Sequence, residues 1–293
     1  MEKTEFGNSG IIVSKLGYGA GQIGDGNISE GHCEYLLNSI VDLGINLIDT
    51  ARGYGLSEDR IGKYLSNKRD KIVISTKVGY GIEGYYDWTY DCIIAGIEEA
   101  LKKMRTDYID IVHLHSCSID ILKRGEVIEA LLKAKQDGKI RLAGYSGENN
   151  ELDFAVESGL FGAVECSVNI CDQKSISNQI LKAKQRGIGV IAKRSIANAP
   201  WKYNDQPHGN YCEEYWKRMK QMGIPDYGID MAELFIRFTA FSEGISSAIS
   251  GSTNMEHINK NIEFIKRGAL SEEIVRDITR RFIENGENWY GQV

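Results

Sequence analysis

One unit recurs along this chain: a helical pattern ends at a glycine, and a short apolar run follows at once. After the first helical pattern, Gly44 precedes the run INLID at residues 45–49. Glycine accepts the left-handed backbone that ends many helices, and runs rich in β-branched residues favour strands. The same ending recurs at Gly138, Gly159 and Gly187. The pattern therefore predicts helices that alternate with strands.

Counted along the whole chain, the apolar runs predict eight strands. They lie at residues 16–20, 45–49, 71–78, 108–115, 140–146, 162–169, 189–195 and 246–252. Helical patterns lie between them, the longest at 89–104 and 126–138. This alternation predicts an α/β fold, a closed (β/α)8 TIM barrel, because crossover helices cover the outside and bury every strand on both faces. A doubly wound sheet would need a tight glycine-rich turn after the first strand, but Ser29, the predicted N-cap of the next helix, comes too late for one.

The two ends of the chain and one long segment add to this barrel. Residues 3–13 predict a β-hairpin around Asn8–Gly10 that would plug the bottom of the barrel, and extra helices are expected at the C-terminal end. No linker or charge block divides the chain, so we expect one domain over residues 1–293. The segment from Asn198 to Asp230 is too long for an ordinary connection, and it follows the seventh strand on the face where barrel active sites form. We expect it to be a lid over a substrate or cofactor.

Composition excludes several classes of partner. The 293 residues include 35 basic and 41 acidic side chains, a net charge of −6, with no basic cluster that would follow a phosphate backbone. The start, MEKTEFGNSG, lacks the apolar core of a secretion signal, and no apolar run is long enough for a membrane span. We therefore expect a cytoplasmic protein without nucleic-acid or membrane partners. The six cysteines form no CxxC pair and are expected to be free, packed thiols.

Four polar residues fall at the C-terminal ends of predicted strands or just beyond them. They are Asp49, Tyr54, Lys77 and His115. Buried together, they could act on a carbonyl, because a carbonyl oxygen that gains negative charge during a reaction needs a proton donor nearby. Tyr54 would be that acid, Lys77 would lower its pKa from the usual value of about 10, and Asp49 would hold the lysine ammonium. His115 would bind the substrate oxygen.

Each of these residues also has a structural interpretation. Asp49 could cap the turn that follows its strand, Tyr54 could be a packing residue, and Lys77 could be solvated. His113 and His115 share one face of a strand, and we predict that His113 is a hydrogen-bonded interior residue. The remaining histidines lie elsewhere in the sequence, so no metal site is expected.

Several motifs, taken in order, resemble the aldo-keto reductase superfamily. They are GYGAGQIG, GINLIDTARGYGLSEDRIGKYL, ISTKVGY, DYIDIVHLH and GSTNMEHINKNI, and the resemblance runs from the hairpin to about residue 264. It implies a barrel without a Rossmann domain that binds an extended nicotinamide dinucleotide across its C-terminal face. It also implies hydride transfer between that cofactor and a carbonyl or alcohol, with His115 as the family histidine.

The resemblance further implies a set of cofactor-binding residues. These are Ala20, Ser146, Glu165, Lys193, Arg194, Gly251, Ser252, Thr253, His257 and Asn261. The family has an asparagine after the serine that holds the nicotinamide carboxamide, but here Gly147 follows Ser146. Asn149 or Asn150 would either substitute for it or cap the next helix. Glu165 replaces the family's glutamine, and a carboxylate accepts hydrogen bonds but does not donate them.

The remaining departures from the family pattern are at residues that would bind the cofactor phosphates. Lys193 or Arg194 stands where the family has a stacking aromatic, and either cation could reach the pyrophosphate. Gly251 and His257 stand where NADP-preferring relatives carry a lysine and an arginine. The cofactor is therefore predicted to be NADP or NAD, with only a modest preference for NADP over NAD.

Three functions are compatible with these residues. The first is an NAD(P)-dependent oxidoreductase acting on a small aldehyde, ketone or sugar-type carbonyl or alcohol, with specificity set by loops 80–88 and 198–215. The second is a Schiff-base lyase that uses Lys77 or Lys193, because a desolvated lysine at a strand end can form an imine. The third is a nucleotide-binding regulatory member of the family with little turnover.

Overall fold

The computed structural model describes residues 1–292 and begins with the predicted hairpin. Strands β1 (Lys3–Glu5) and β2 (Ile12–Ser14) pair in antiparallel register, with Lys3 opposite Ser14. Phe6 lies in the hairpin turn and covers Gly189 so closely that a Cβ there would lie 2.2 Å from the phenyl ring. Phe6, Ile11 and Val13 are buried in a cluster with apolar residues from the starts of the barrel strands. The hairpin therefore closes the bottom of the barrel, as predicted.

Eight parallel strands within the described residues form a closed barrel, which confirms the predicted fold class. They are β3 (Leu16–Gly19), β4 (Leu47–Asp49), β5 (Val73–Val78), β6 (Ile109–His115), β7 (Ile140–Ser146), β8 (Ala163–Ser167), β9 (Gly189–Lys193) and β10 (Ser247–Ser250). Each strand pairs with the next, and β10 pairs with both β9 and β3 to close the ring. Most strands are shorter than predicted.

Helices cover the outside of this barrel. They are α1 (Glu30–Asp42), α2 (Ser57–Leu65), α3 (Tyr90–Met104), α4 (Ile119–Arg124), α5 (Glu126–Gln136), α6 (Asn149–Glu157), α7 (Leu181–Gln185), α8 (Glu213–Met222), α9 (Met231–Ala240), α10 (Met255–Lys266) and α11 (Glu272–Asn285). Short 3-10 turns lie at Gln22–Gly24, Ser66–Lys71 and Pro200–Lys202, and a π-helical turn at Ile176–Ile180. Ser29 caps α1 as predicted, because its side chain accepts a hydrogen bond from the His32 amide.

The apolar sides of these helices pack on the strands and form one large core around the barrel wall. A second apolar cluster joins α8, α9 and α11 beside the barrel, and α11 is an extra C-terminal helix of the kind expected. All six cysteines are buried, and each is a free thiol. Among residues 1–292, no helix combines the length and apolar character that crossing a membrane requires. Because the hairpin closes the other end, the accessible end of the barrel is the one formed by the C-terminal ends of the strands.

Candidate active site

A cavity of about 1040 Å³ opens at the C-terminal ends of the strands. This volume lies at the upper limit of ordinary small-molecule sites. Asp49, Tyr54, Lys77, His115 and Glu165 all line it. The parallel strands bring these residues to one face, since every strand ends on the same side of the barrel.

Lys77 and Asp49 form a buried ion pair on the cavity floor. The Lys77 ammonium donates to Asp49 Oδ2 at 2.7 Å, to Asp49 Oδ1 at 2.9 Å and to the Thr50 carbonyl at 3.0 Å. Ser75 Oγ donates to Asp49 Oδ1 at 2.8 Å. Both charged side chains are about 1–2% exposed. Asp49 therefore orients the lysine, and its carboxylate is engaged by Lys77 and Ser75.

Glu165 brings a second carboxylate to the same ammonium. Glu165 Oε2 lies 3.2 Å from Lys77 Nζ, and it has no hydrogen-bond partner among the described residues. The neighbouring strand places Ser146 in register with Glu165, and the buried Ser146 Oγ is also unpartnered in residues 1–292. Sequence reasoning did not predict the contact with Lys77, because the two residues come from strands on different sides of the barrel.

The three charges determine one another's protonation. Burial alone would lower the pKa of Lys77, but Asp49 and Glu165 raise it above its usual value. Burial and the neighbouring Glu165 raise the pKa of Asp49 to about 7. Burial also acts to raise the pKa of Glu165, but Lys77, His113 and Lys193 outweigh it and lower that pKa to about 2. Two carboxylates thus compete for one ammonium and titrate as a unit.

Tyr54 lies beside this ion pair, with the Lys77 ammonium 5.5 Å from the centroid of its ring. Lys77 lowers the pKa of Tyr54, which is the direction expected from the sequence. Burial, Asp49 and Glu165 together outweigh the lysine, so the pKa of Tyr54 is raised to about 12. The prediction that the phenol has a lowered pKa is therefore wrong, because burial and two carboxylates outweigh the single ammonium.

Tyr80, which the sequence pattern did not identify as a site residue, is hydrogen-bonded to His115 on the cavity wall. His115 Nδ1 shares a hydrogen bond of 3.0 Å with Tyr80 Oη, and the two rings stack with centroids 5.6 Å apart. Burial and Lys77 lower the pKa of His115 to about 4, so the ring is neutral near pH 7. Tyr80 belongs to a loop that was predicted to set specificity, and only the folded loop shows its contact with His115.

His113 is an interior residue, as predicted, but it is not hydrogen-bonded. Within the described chain, neither ring nitrogen has a hydrogen-bond partner, and Nε2 lies 3.9 Å from Glu165 Oε2. Burial lowers the pKa of His113 to about 4. The ring is enclosed by the barrel wall, where a Cβ on Gly144 would lie 2.5 Å from its Nδ1.

Nine of the ten residues assigned to the cofactor line the cavity. They are Ser146, Glu165, Lys193, Arg194, Gly251, Ser252, Thr253, His257 and Asn261. Ala20 is fully buried behind the wall, where its carbonyl accepts a hydrogen bond from Ser57 Oγ. Its neighbours Gly19 and Gly21 line the cavity in its place.

The two cations at the C-terminal end of β9, Lys193 and Arg194, are both engaged by other groups. Lys193 Nζ lies 3.3 Å from Glu148 Oε1. The Arg194 guanidinium donates to Tyr211 Oη at 3.0 Å, to Ser167 Oγ at 2.9 Å and to the Gln292 carbonyl near the C-terminus. Arg194 is therefore not a free cation for a pyrophosphate, because the C-terminal segment and Tyr211 occupy its donors.

The opposite end of the cavity is formed by the residues after β10. Ser252 Oγ lies 3.3 Å from His257 Nδ1, and Asn261 Nδ2 donates to Ser250 Oγ at 3.2 Å. Asn254 caps α10, whose N-terminus faces this end. His257 and Lys260 are exposed at the rim. A helix N-terminus with nearby hydroxyls is suited to an anion.

The structure explains why residue 147 is a glycine. Neither Asn149 nor Asn150 takes the place of the family's asparagine at this position. A Cβ on Gly147 would lie 2.3 Å from Tyr145 Oη, so a larger residue would displace that ring. Asn149 instead binds the C-terminal segment, donating to the Gly291 carbonyl and accepting from its amide. Neither Asn149 nor Asn150 lines the cavity, and Glu148 occupies the N-cap of α6.

The segment from Asn198 to Asp230 lies beside the cavity and contains α8, so it is more ordered than a simple loop. Trp201 and Tyr211 line the cavity, and Trp201 packs on Phe235 of α9 with centroids 4.9 Å apart. Across residues 1–292, no cluster of three or more His, Cys, Asp or Glu side chains could hold a metal ion.

Comparison with known proteins agrees with this architecture. The family model described as "Aldo/keto reductase family" matches residues 15–281. L-galactose dehydrogenase from Arabidopsis thaliana is 26% identical over 279 residues, which cover 89% of this chain and 87% of the plant protein. D-threo-aldose 1-dehydrogenase from Pseudomonas sp is 23% identical over 306 residues, covering 87% and 90%.

Among solved structures, the holo form of the aldo-keto reductase AKR11C1 from Bacillus halodurans is similar to this chain with a TM-score of 0.83. The two chains are 26% identical, and the match covers 96% of each. The family model spans most of the sequence, and the barrel matches throughout. The chain therefore belongs to the aldo/keto reductase family.

Proposed function

We propose that the protein is an NAD(P)-dependent oxidoreductase that moves a hydride between a nicotinamide and a small carbonyl or alcohol. The observation that carries this proposal is the convergence of Tyr54, Lys77, Asp49 and His115 on the floor of one cavity. A phenol supported by a lysine–carboxylate pair and a neutral imidazole can serve one oxygen atom as proton donor and hydrogen-bond donor.

The floor also fits a carboxamide, the polar group of the nicotinamide ring. Ser146 Oγ and Glu165 Oε2 are buried, have no partners in residues 1–292 and line the same cavity. A hydroxyl can donate to an amide carbonyl, and a carboxylate can accept from an amide NH2. These unsatisfied groups are costly unless a ligand pairs with them. When bound, the nicotinamide would supply or accept the hydride.

The chain's own residues would control the proton. At neutral pH Tyr54 is a protonated phenol, since its pKa is about 12 in the cavity. It can therefore donate to an oxygen that gains negative charge. Lys77 then stabilises the resulting phenolate electrostatically, and neutral His115 holds the substrate oxygen through a ring nitrogen.

The proposed substrate is a sugar or another small polyhydroxy carbonyl compound. Two relatives are named as dehydrogenases of L-galactose and of D-threo-aldoses, and they cover most of this chain. Trp201 and Tyr211 provide aromatic faces at the cavity wall, which suit the apolar side of a sugar ring.

The Schiff-base alternative is disfavoured by the charge state of the lysines. Asp49 and Glu165 raise the pKa of Lys77, so its amine is protonated and is not a nucleophile at neutral pH. Lys193 is held by Glu148 at 3.3 Å. Imine-forming lysines are activated by the opposite arrangement, a desolvated amine in an apolar pocket or beside another cation.

Tyr54→Phe tests the proposal. The variant keeps the ring but removes the acid, so turnover of aldoses and small aldehydes should fall by about two or more orders of magnitude. Dissociation constants for the nucleotides, measured by tryptophan fluorescence, should stay nearly unchanged. Unchanged turnover in Tyr54→Phe would remove this residue from the mechanism, and failure of both NAD and NADP to bind would refute the proposed function.

A further inference from the structure

Glu165 leaves the cavity floor with an excess of negative charge. The charged and titratable groups facing it are Lys77 of β5, Asp49 of β4, His113 and His115 of β6, Lys193 of β9 and Tyr54. The two histidines and Tyr54 are neutral near pH 7, and Lys193 is paired with Glu148. One ammonium, that of Lys77, therefore faces two carboxyl groups, those of Asp49 and Glu165, and the pair loses its last proton near pH 7.

By geometry, Glu165 is the less fully hydrogen-bonded of the two carboxylates. Asp49 receives two short hydrogen bonds from Lys77 and one from Ser75. Glu165 Oε2 is 3.2 Å from the ammonium and accepts no hydrogen bond from any described residue, although Glu165 is only 1% exposed. Burial deprives the Glu165 carboxylate of hydration. A cation that enters the cavity would compensate for this loss, so the carboxylate favours the binding of a cation.

We propose that Glu165 makes this cavity bind the oxidised nicotinamide ring, which is a cation, in preference to the reduced ring, which is neutral. The inference rests on the proposed function and adds to it a residue that discriminates between cofactor redox states. A glutamine of the same size would accept the same carboxamide hydrogen bond, so the preference comes from the charge alone.

The charge of Glu165 also couples the binding of the oxidised nucleotide to the release of protons. Before binding, the carboxylate pair holds a proton with a pKa of about 7, assigned to Asp49, because of burial and Glu165. A cation in the cavity favours the fully ionised pair, so binding of the oxidised nucleotide should release protons at pH 7. Binding of the reduced nucleotide, whose ring is neutral, should release few protons.

The test compares the wild type with Glu165→Gln. Dissociation constants for NAD+, NADH, NADP+ and NADPH would be measured by fluorescence titration, and proton release by calorimetry in two buffers of different ionisation enthalpy. In Glu165→Gln, the ratio of the oxidised to the reduced dissociation constant should rise about ten- to hundredfold, the scale of one charge pair at a partly shielded site. Proton release on binding the oxidised form should disappear.

Two further variants serve as controls. Glu165→Asp keeps the charge and should retain most of the preference for the oxidised form. Asn261→Ala lies at the other end of the cavity, so it should change the affinity for both redox forms by the same factor.

The outcomes separate the inference from the proposed function. Equal redox ratios in the wild type and Glu165→Gln would overturn the inference while leaving the nicotinamide function intact. If neither redox form of either nucleotide binds the wild type, both the inference and the proposed function are refuted. If Glu165→Gln does not fold, the wild-type measurement decides, since absence of proton release specific to the oxidised nucleotide overturns the inference.

Discussion

Replacing Lys77 with methionine should destabilise the protein in a way that depends on pH. Methionine has a similar length and no charge, so Asp49 and Glu165 would remain buried without a cation. Removing one partner of a buried ion pair costs about 3–5 kcal/mol. We expect a loss of this size in the free energy of unfolding near pH 8.

The loss should be smaller in mild acid. Without the ammonium, the folded-state pKa of each carboxylate rises far above its unfolded value of about 4, so the folded state binds more protons than the unfolded state. Stability then falls as pH rises towards the folded-state pKa, by about 1.4 kcal/mol per pH unit for each such carboxylate. Between about pH 5.5 and pH 8, one newly protonated carboxylate changes the stability by about 3 kcal/mol.

Urea denaturation followed by tryptophan fluorescence at both pH values would measure this difference. The matched control combines Lys77→Met with Asp49→Asn and Glu165→Gln, which makes all three side chains neutral. This triple variant should recover much of the lost stability and should lose the pH dependence. An equal loss for Lys77→Met at both pH values would refute the reasoning, because it would mean that the carboxylate charges do not cause the destabilisation.

Three other predictions concern single side chains. His257→Arg should strengthen NADP binding by about 1–2 kcal/mol, the scale of a charge-assisted hydrogen bond, with little change for NAD, as measured by titration with each nucleotide. Tyr80→Phe removes the hydroxyl that bonds His115 Nδ1, so the nitrogen-15 shifts of the His115 ring should change and the Michaelis constant for carbonyl substrates should rise. Lys77→Arg should keep some reductase activity because a cation remains, and borohydride with a carbonyl substrate should leave no covalent adduct at Lys77 in the wild type.

The positions of Asp49, Lys77 and His115 could be predicted from the sequence for a simple reason. Apolar runs mark the strands, and a parallel barrel places all their C-terminal ends on one face. A polar residue at the end of such a run must therefore lie near the others. This reasoning uses only local pattern and topology, and the fold that it requires is the one observed.

The contacts that set the charges of the site could not be predicted in this way. The approach of Glu165 to Lys77 depends on how far two side chains extend across the barrel, and sequence spacing does not record that distance. The sign of the shift in the pKa of Tyr54 is a balance between Lys77 and the opposing effects of burial and two carboxylates. Arg194 looked available for a phosphate because nothing in the sequence places Gln292 against it.

The distribution of charge along the cavity links these observations to the proposed cofactor. The floor holds the carboxylate of Glu165, whereas Lys202 and the N-terminal end of α10, where backbone amides carry partial positive charge, line the cavity elsewhere. An oxidised nicotinamide dinucleotide has the opposite distribution, with a cationic ring at one end and phosphates towards the other. A ligand that is anionic throughout would meet repulsion at the floor, and one that is cationic throughout would meet it near α10. The cavity is thus complementary to a molecule whose charge changes sign along its length, which supports the proposed binding of an oxidised nicotinamide dinucleotide.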